Sequence, residues 1–389
     1  MNKVLFISQW YPHRYDPMFG LFVRKHAEAV GKLCAVKVVY IHPTDKISTF
    51  EITEHQHNNI TEIIIYYPAQ NSTFINKISK SINYLIAYHK GFNYIKKINF
   101  KPDIIHANIL TRTGLLALYY SKKLKIPYVI TEHWSRYLPI RNTYSGFLRK
   151  QFTKLVIKHA SAVFPVSKNL QQAMMSHKLL NDNYQVINNV VEDFFFGKFK
   201  QESHSKKKIL HISCFDEKAK NIKGIISAIY ELSKQRSDFE LILVGTGTDF
   251  DKVYDYYKSL PLDIGLIRFI GELSPMEVAE QIKNCDFTLM FSNYENSPVV
   301  IAESLACGKP VLSTNVGGIP EMINEKNGIL IEPRDEKSLA EKINYLLDHC
   351  DQYNAEWISL EAEKNYSYKA IGEKLTAEYQ RILQQDSKK

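Results

Sequence analysis

The sequence predicts two doubly wound α/β domains, each a parallel sheet covered by helices on both faces. Three observations carry that reading. The 389 residues exceed the roughly 100–200 of one typical domain. Short apolar runs rich in β-branched residues alternate with helical periodicity, the pattern of a parallel sheet buried on both sides. The alternation halts at a polar stretch, residues 201–207, and then restarts, which suits a linker.

In the first half, Val4-Leu5-Phe6-Ile7 is the apolar centre of a strand over residues 3–8. A loop from Gln9 to Gly20 leads into a helical pattern over 21–33. Strands follow at 36–41 and 62–67, then a helix over 74–98 that stops before Lys101-Pro102, because proline disfavours helix in the residue before it. Residues 103–106 are a short buried strand, 113–123 a helix and 128–131 a strand. In the second half, strands are predicted at 208–212, 240–244, 266–270, 287–291 and 310–313. Ile371, Leu375, Tyr379 and Leu383 recur at four-residue spacing and predict a helix over 368–383. In open sheets of this kind ligands bind beyond the carboxyl ends of the strands, so a cleft between the domains is the expected site.

Composition removes several classes. With 45% apolar and 23% charged residues the chain has the balance of a globular protein. No apolar stretch approaches the ~18 residues that span a bilayer, and the apolar run after Lys3 is too short for a signal peptide. Five scattered cysteines, an odd number, make neither a disulfide framework nor a zinc site and fit a reducing cytosol. Charge is uneven. Residues 1–185 carry 25 Lys and Arg against 9 Asp and Glu, a net of +16; the rest carries 25 against 32, a net of −7. The basic half favours anionic surfaces, or uses lysine simply for solubility.

The most informative stretch runs from Ser292 through Glu295, Asn296, Ser297, Pro298, Val299, Val300 and Glu303 to Gly308 and Pro310. Ser297 suits an N-cap and Pro298 the first helical position. Gly308 ends a helix of about ten residues. The helix start is a ready anion site, and a carboxylate beside it can accept hydrogen bonds from ligand hydroxyls. Alternatively, Glu303 faces solvent and Glu295 decorates a turn. His133 follows the strand at 128–131, where it can donate a hydrogen bond or shuttle a proton. Gly245, in Val244-Gly245-Thr246-Gly247, lets the chain approach a nucleotide, but the third glycine of a dehydrogenase fingerprint is missing.

Two glutamates separated by seven residues, a proline between them and the ending Ala306, Gly308, Pro310, Val311 resemble the signature of glycosyltransferase family 4, retaining nucleotide-sugar-dependent enzymes with the GT-B fold. Gly317-Gly318-Ile319-Pro320-Glu321, Asn327-Gly328, Pro102–Ala107, Pro165-Val166-Ser167 and the loop ending Gly20-Leu21-Phe22 extend the resemblance. Asn188 and Val190 replace the family's usual proline and glycine. The resemblance implies two Rossmann-like domains facing across a cleft: 1–190 for the acceptor, with a helix at about 369–389 packing back on it, and 191–368 for the nucleotide sugar. It implies that Glu303 accepts ribose hydroxyls, Glu295 orients the donor sugar and His133 meets that sugar near the reacting carbon. Lys220, the helix start at 297–300 and the Gly20 loop would stabilise the diphosphate. Cys214 stands where the family has arginine, and Lys218 or Lys223 are candidate substitutes; Cys214 is expected to be a buried structural thiol. Glu132 and Arg136 are expected to shape the acceptor pocket.

There is no Asp-x-Asp, His pair or cysteine pair of metal-ligand spacing, and the resemblance implies no metal or other cofactor. UDP is the default base, and the acceptor is expected to be a glycan or lipid-linked saccharide of envelope polysaccharide or glycoconjugate synthesis. A nucleotide-sugar epimerase and a non-catalytic partner subunit of the same fold are the rivals. Nucleic acid is disfavoured, since no recognition module accompanies the charge. Two basic amphipathic stretches, 74–97 with Lys77, Lys80, Lys90, Lys96 and Lys97, and 144–158 with Lys150, Lys154 and Lys158, suit either an anionic membrane interface or solvated lysines on packed helices. A cytoplasmic protein, peripheral on the inner face of the membrane, is the expectation.

Overall fold

A computed structural model describes residues 1–69, 74–197, 206–263 and 265–386. The side chains of Lys77 and Ile78 and residues 201–205 of the polar stretch lie outside the described residues. The chain forms two compact units, one of Met1–Val190 with Tyr368–Lys389 and one of Val191–Ser367.

The first unit holds β1 (Lys3–Ser8), β2 (Ala35–Thr44), β3 (Glu51–His57), β4 (Ile60–Pro68), β5 (Ile104–Asn108), β6 (Tyr128–Glu132) and β7 (Ala162–Pro165). They form one sheet in the order β3-β4-β2-β1-β5-β6-β7. All pairs are parallel except β3 with β4. Successive residues of β1 feed opposite cores: Leu5 and Ile7 one face, Val4 and Phe6 the other. The edge hairpin is a departure from the predicted all-parallel sheet. Its strand, Glu-Ile-Thr-Glu-His-Gln-His, is mostly polar and half exposed, so it lacks the apolar run that marks interior strands. β7 has only four residues, too short a run to stand out in the sequence, where only the family resemblance marks its end at Pro165.

The second unit holds β8 (Lys207–Ile212), β9 (Phe239–Val244), β10 (Ile267–Gly271), β11 (Phe287–Met290), β12 (Val311–Thr314) and β13 (Gly328–Ile331). Their order is β10-β9-β8-β11-β12-β13, all parallel. In both sheets the chain builds outward on one side of the first strand and then crosses to the other. The switch point lies between β1 and β5 in the first unit and between β8 and β11 in the second. That is where such sheets open a crevice at their carboxyl ends.

The last helix, Tyr368–Asp386, belongs to the first unit and packs on the helix Leu21–Gly31. Gly372 lies against the backbone of Ala29, where a side chain would collide. Tyr368 donates to Glu28 Oε2 at 2.8 Å, and the Tyr379 hydroxyl meets His106 Nδ1.

Candidate active site

In the second unit the chain leaves β8 and enters a one-turn helix, Glu217–Lys220, capped by the Asp216 carboxylate accepting from the Ala219 amide at 3.3 Å. Lys220 ends that turn. Across the switch point, the loop after β11 carries Glu295. The Lys220 ammonium and the Glu295 carboxylate form an ion pair, and both side chains are largely buried. Burial works against the charge on Lys220, but attraction to Glu295 outweighs it and holds the ammonium above its ordinary pKa. Ser292 Oγ donates to the same Glu295 oxygen at 2.9 Å, and Thr314 Oγ1 donates to the Ser292 carbonyl at 2.7 Å. Asn293 ties the two loops together: its amide donates to the Ala219 carbonyl at 2.7 Å and its side chain to the Lys218 carbonyl at 3.0 Å.

Two glycine turns press on this centre. Gly317 is left-handed (φ +58°), and a Cβ there would strike the Glu295 carbonyl. The adjacent Gly318 amide donates to the Asn296 carbonyl at 3.0 Å. Gly245 (φ +122°) lies over the Ser213 carbonyl at the end of β8 and leaves no space for a side chain. His211 below is buried, hydrogen-bonded to the Leu289 carbonyl and Ser213 Oγ, and burial pushes its pKa down to about 4.

The helix after Glu295 spans Val299–Ala306, two residues shorter than predicted. Pro298, extended at φ −68° and ψ 118°, occupies the cap, so the predicted cap at Ser297 is displaced by one residue and no side-chain cap bond forms. Asn296 and Ser297 remain in the half-buried loop, Val299 and Val300 supply the first turn, and Glu303 is buried in mid-helix rather than facing solvent. Cys214 is exposed, correcting the expectation of a buried thiol: it sits beyond the end of β8, outside the sheet's cover. Lys223 lies 5.5 Å over the Tyr256 ring, on a helix whose first amides are held by Glu217, and Lys218 is exposed.

In the first unit, Gly20 caps Leu21–Gly31 in the left-handed region (φ +67°). A Cβ there would lie 2.5 Å from the Trp10 carbonyl carbon and 2.6 Å from the Tyr11 nitrogen, so only glycine lets this loop fold onto the end of β1. Trp10 packs 4.9 Å from Trp134 and 6.2 Å from Phe22, and Phe22 lies 4.5 Å from His133. The Gly20 loop and the His133 loop thus meet in one aromatic cluster beyond β1, β5 and β6. His133 Nε2 is 3.4 Å from Asn108 Oδ1, and Asn189 is a further polar neighbour that favours the charged ring. Burial, then the nearby His26 and His106, hold His133 well below its ordinary pKa, so it is neutral at pH 7.

Glu132 does not line a pocket, contrary to expectation. It is fully buried, and its carboxylate accepts from the amides of Leu110 (2.9 Å), His133 (2.9 Å) and Trp134 (2.8 Å). Burial raises its pKa to about 7 against those bonds. Its role is to fix the backbone that presents His133. Arg136 stands 3.3 Å over the Trp134 ring and donates to Thr111 Oγ1 at 3.2 Å.

Two family descriptions match consecutive parts of the chain: Glycosyltransferase Family 4 over residues 36–193, and Glycosyl transferases group 1 over 193–361. An uncharacterized glycosyltransferase of Methanocaldococcus jannaschii is 27% identical over 349 residues, 89% of either chain. The structure of the Anabaena protein HepE, solved with UDP, superposes with a TM-score of 0.72 over 96% of this chain and 98% of its own, at 17% identity. The chain is a GT-B glycosyltransferase resembling family 4. A further relative of this glycosyltransferase is the N-acetyl-alpha-D-glucosaminyl L-malate synthase of Bacillus anthracis, 30% identical over 191 residues, 44% of this chain and 49% of that one.

Within the second unit of the glycosyltransferase, Lys220 and Glu295 are in direct contact, and residues 296–300 continue from them. Gly245 belongs to the neighbouring loop. Within the first unit, Gly20 and His133 share the aromatic cluster. Sequence reasoning gave no role to Ser292, Thr314, Asn108, Asn189 or Trp10. The only signal for Ser292 was its place three residues before Glu295; the others reach the site through the sheet.

Proposed function

We propose that this glycosyltransferase is a retaining enzyme that transfers a sugar from a nucleotide sugar, a UDP-sugar, to a glycan or lipid-linked saccharide in envelope polysaccharide or glycoconjugate synthesis. The observation that supports it most is the Lys220–Glu295 pair across the switch point of the second sheet. A buried ammonium beside a helix start suits a departing nucleoside diphosphate, whose charge develops as the glycosidic bond breaks. Glu295, held by Ser292 and Lys220, accepts a hydroxyl of the donor sugar, and Glu303 the ribose hydroxyls. The backbone at Gly20 and Gly245 approaches the donor closely, with Asn296, Ser297, Pro298, Val299 and Val300 around the phosphates. Neutral His133 donates or accepts a hydrogen bond at the transferring sugar without bringing a charge. The acceptor's own hydroxyl attacks, losing its proton to a phosphate oxygen of the leaving group, so neither metal nor cofactor is assigned a role. Residues 1–190 take the acceptor and 191–368 the donor, in the cytoplasm at the inner face of the membrane. The UDP bound by HepE supports the choice of base by analogy of fold.

The test is release of nucleoside diphosphate from a panel of UDP- and GDP-sugars with and without saccharide acceptors. Acceptor-dependent release supports transfer; interconversion of the sugar without acceptor points to an epimerase, and inertness to a non-catalytic subunit. Glu295→Gln, which keeps an oxygen to accept from the Lys220 ammonium, should lower turnover by about 10²–10³, and unchanged turnover would remove its assigned role.

A further inference from the structure

We infer that the helix Phe147–His159 is an in-plane docking element that seats the first unit on an anionic lipid bilayer. The inference rests on the proposed lipid-side acceptor for its purpose, and on a separate set of residues for its geometry.

The helix turns Thr153, Val156 and Ile157 into the core. Its packing on the helix Thr113–Leu124 is close, since a Cβ on Gly114 would come within 2.7 Å of a Val156 methyl. The opposite face carries large exposed apolar side chains, Phe147 at 74%, Leu148 at 66%, Phe152 at 45% and Leu155 at 44%, with the exposed Gln151 and His159 among them. At 100° per residue the four apolar side chains fall within an arc of about 140°. Lys150, Lys154 and Lys158 form a stripe of about 80° along one border of that arc. Ile140, on the one-turn helix just before in sequence, is also 61% exposed.

Charge decides the occupant. From His133 to Asn181 the chain has eight Lys and Arg and no Asp or Glu. A patch of large apolar side chains bordered by cations with no neighbouring anion in sequence fits an interface rich in acidic head groups, with the rings among the acyl chains and the ammonium groups at the phosphates. A second copy docked patch to patch would bring an equally basic surface against it and be repelled. The same segment begins at His133, and Arg136 stacks on Trp134 within it. The docking helix therefore follows in the same stretch of chain that presents His133.

The test is sedimentation of the full chain with vesicles of phosphatidylcholine, with or without phosphatidylglycerol. Binding is expected only with phosphatidylglycerol and is weakened by salt. The triple variant Phe147→Ser, Leu148→Ser, Phe152→Ser should bind those vesicles at least tenfold more weakly at unchanged melting temperature, since all three side chains are exposed. Lys150→Glu with Lys154→Glu and Lys158→Glu should act likewise, and Phe152→Trp should add a blue-shifted emission on binding. Equal binding by the triple variant, binding to phosphatidylcholine alone, or a dimer in solution that the triple variant dissolves overturns the inference. Nucleoside diphosphate release to a water-soluble acceptor, measured alongside, keeps the two readings apart. Loss of vesicle binding with release intact supports docking; vesicle binding without release refutes the transfer reading alone.

Discussion

At the switch point of the second sheet an ammonium and a carboxylate face each other as a buried pair. At the switch point of the first, the corresponding loops hold aromatic rings, a neutral histidine and a carboxylate tied to three backbone amides. The topology is shared and the electrostatics differ: in the first unit the nearby Arg136 guanidinium stacks on Trp134 and donates to Thr111 instead of facing a carboxylate as Lys220 does. A doubly wound sheet dictates where a ligand can approach, but the loops decide what that ligand is. Fixed charge suits a group whose charge grows during reaction. Rings and neutral hydrogen-bonding groups suit the faces and hydroxyls of a saccharide and need no desolvation of a charge.

The largest effect should come from breaking the charged half. Lys220→Met leaves Glu295 buried without its cation and should cost about 3–5 kcal/mol in denaturant unfolding, whereas Lys220→Met with Glu295→Gln should recover much of that. If the single variant is as stable as the double, the pair is not a coupled unit. In the neutral half, Glu132 has the next largest predicted effect. Its folded pKa of about 7 lies above the ordinary 4.5, so the folded chain holds a proton the unfolded chain has released. Stability from this group is therefore lost as pH rises from about 4.5 to 7 and is flat above, by roughly 3 kcal/mol at most. Comparing the natural chain with Glu132→Gln in urea across that window should show the extra slope only in the former; parallel curves would mean Glu132 is ionised throughout. The smallest effect tests whether the charged half is short of a cation. Cys214→Arg should tighten nucleoside diphosphate binding several-fold in calorimetry, less at high salt. No change would locate the phosphate elsewhere.

Much of this was legible along the chain. The interior strands announced themselves as apolar β-branched runs, and Glu295 and His133 stood just past their carboxyl ends, where polar residues resume; Lys220 was legible only through the family resemblance. The edge strand β3 was not legible, because an edge needs no apolar run and Thr-Glu-His reads as loop. Nor was the partner set of Glu295: Ser292 is near in sequence, but Lys220 is 75 residues away and Thr314 reaches it only through a parallel neighbour. Glu132 was misread because a carboxylate beside a candidate histidine looks functional in sequence. Only burial shows that its oxygens are spent on amides.

What the sequence determined by itself was the class of element at each position and the chemical inventory, since periodicity, turn residues and side-chain types are local properties. What only the tertiary structure decided was which of those groups face each other and in what charge state. Both follow from burial and from strand order, through which residues far apart in the chain come to share one dielectric environment.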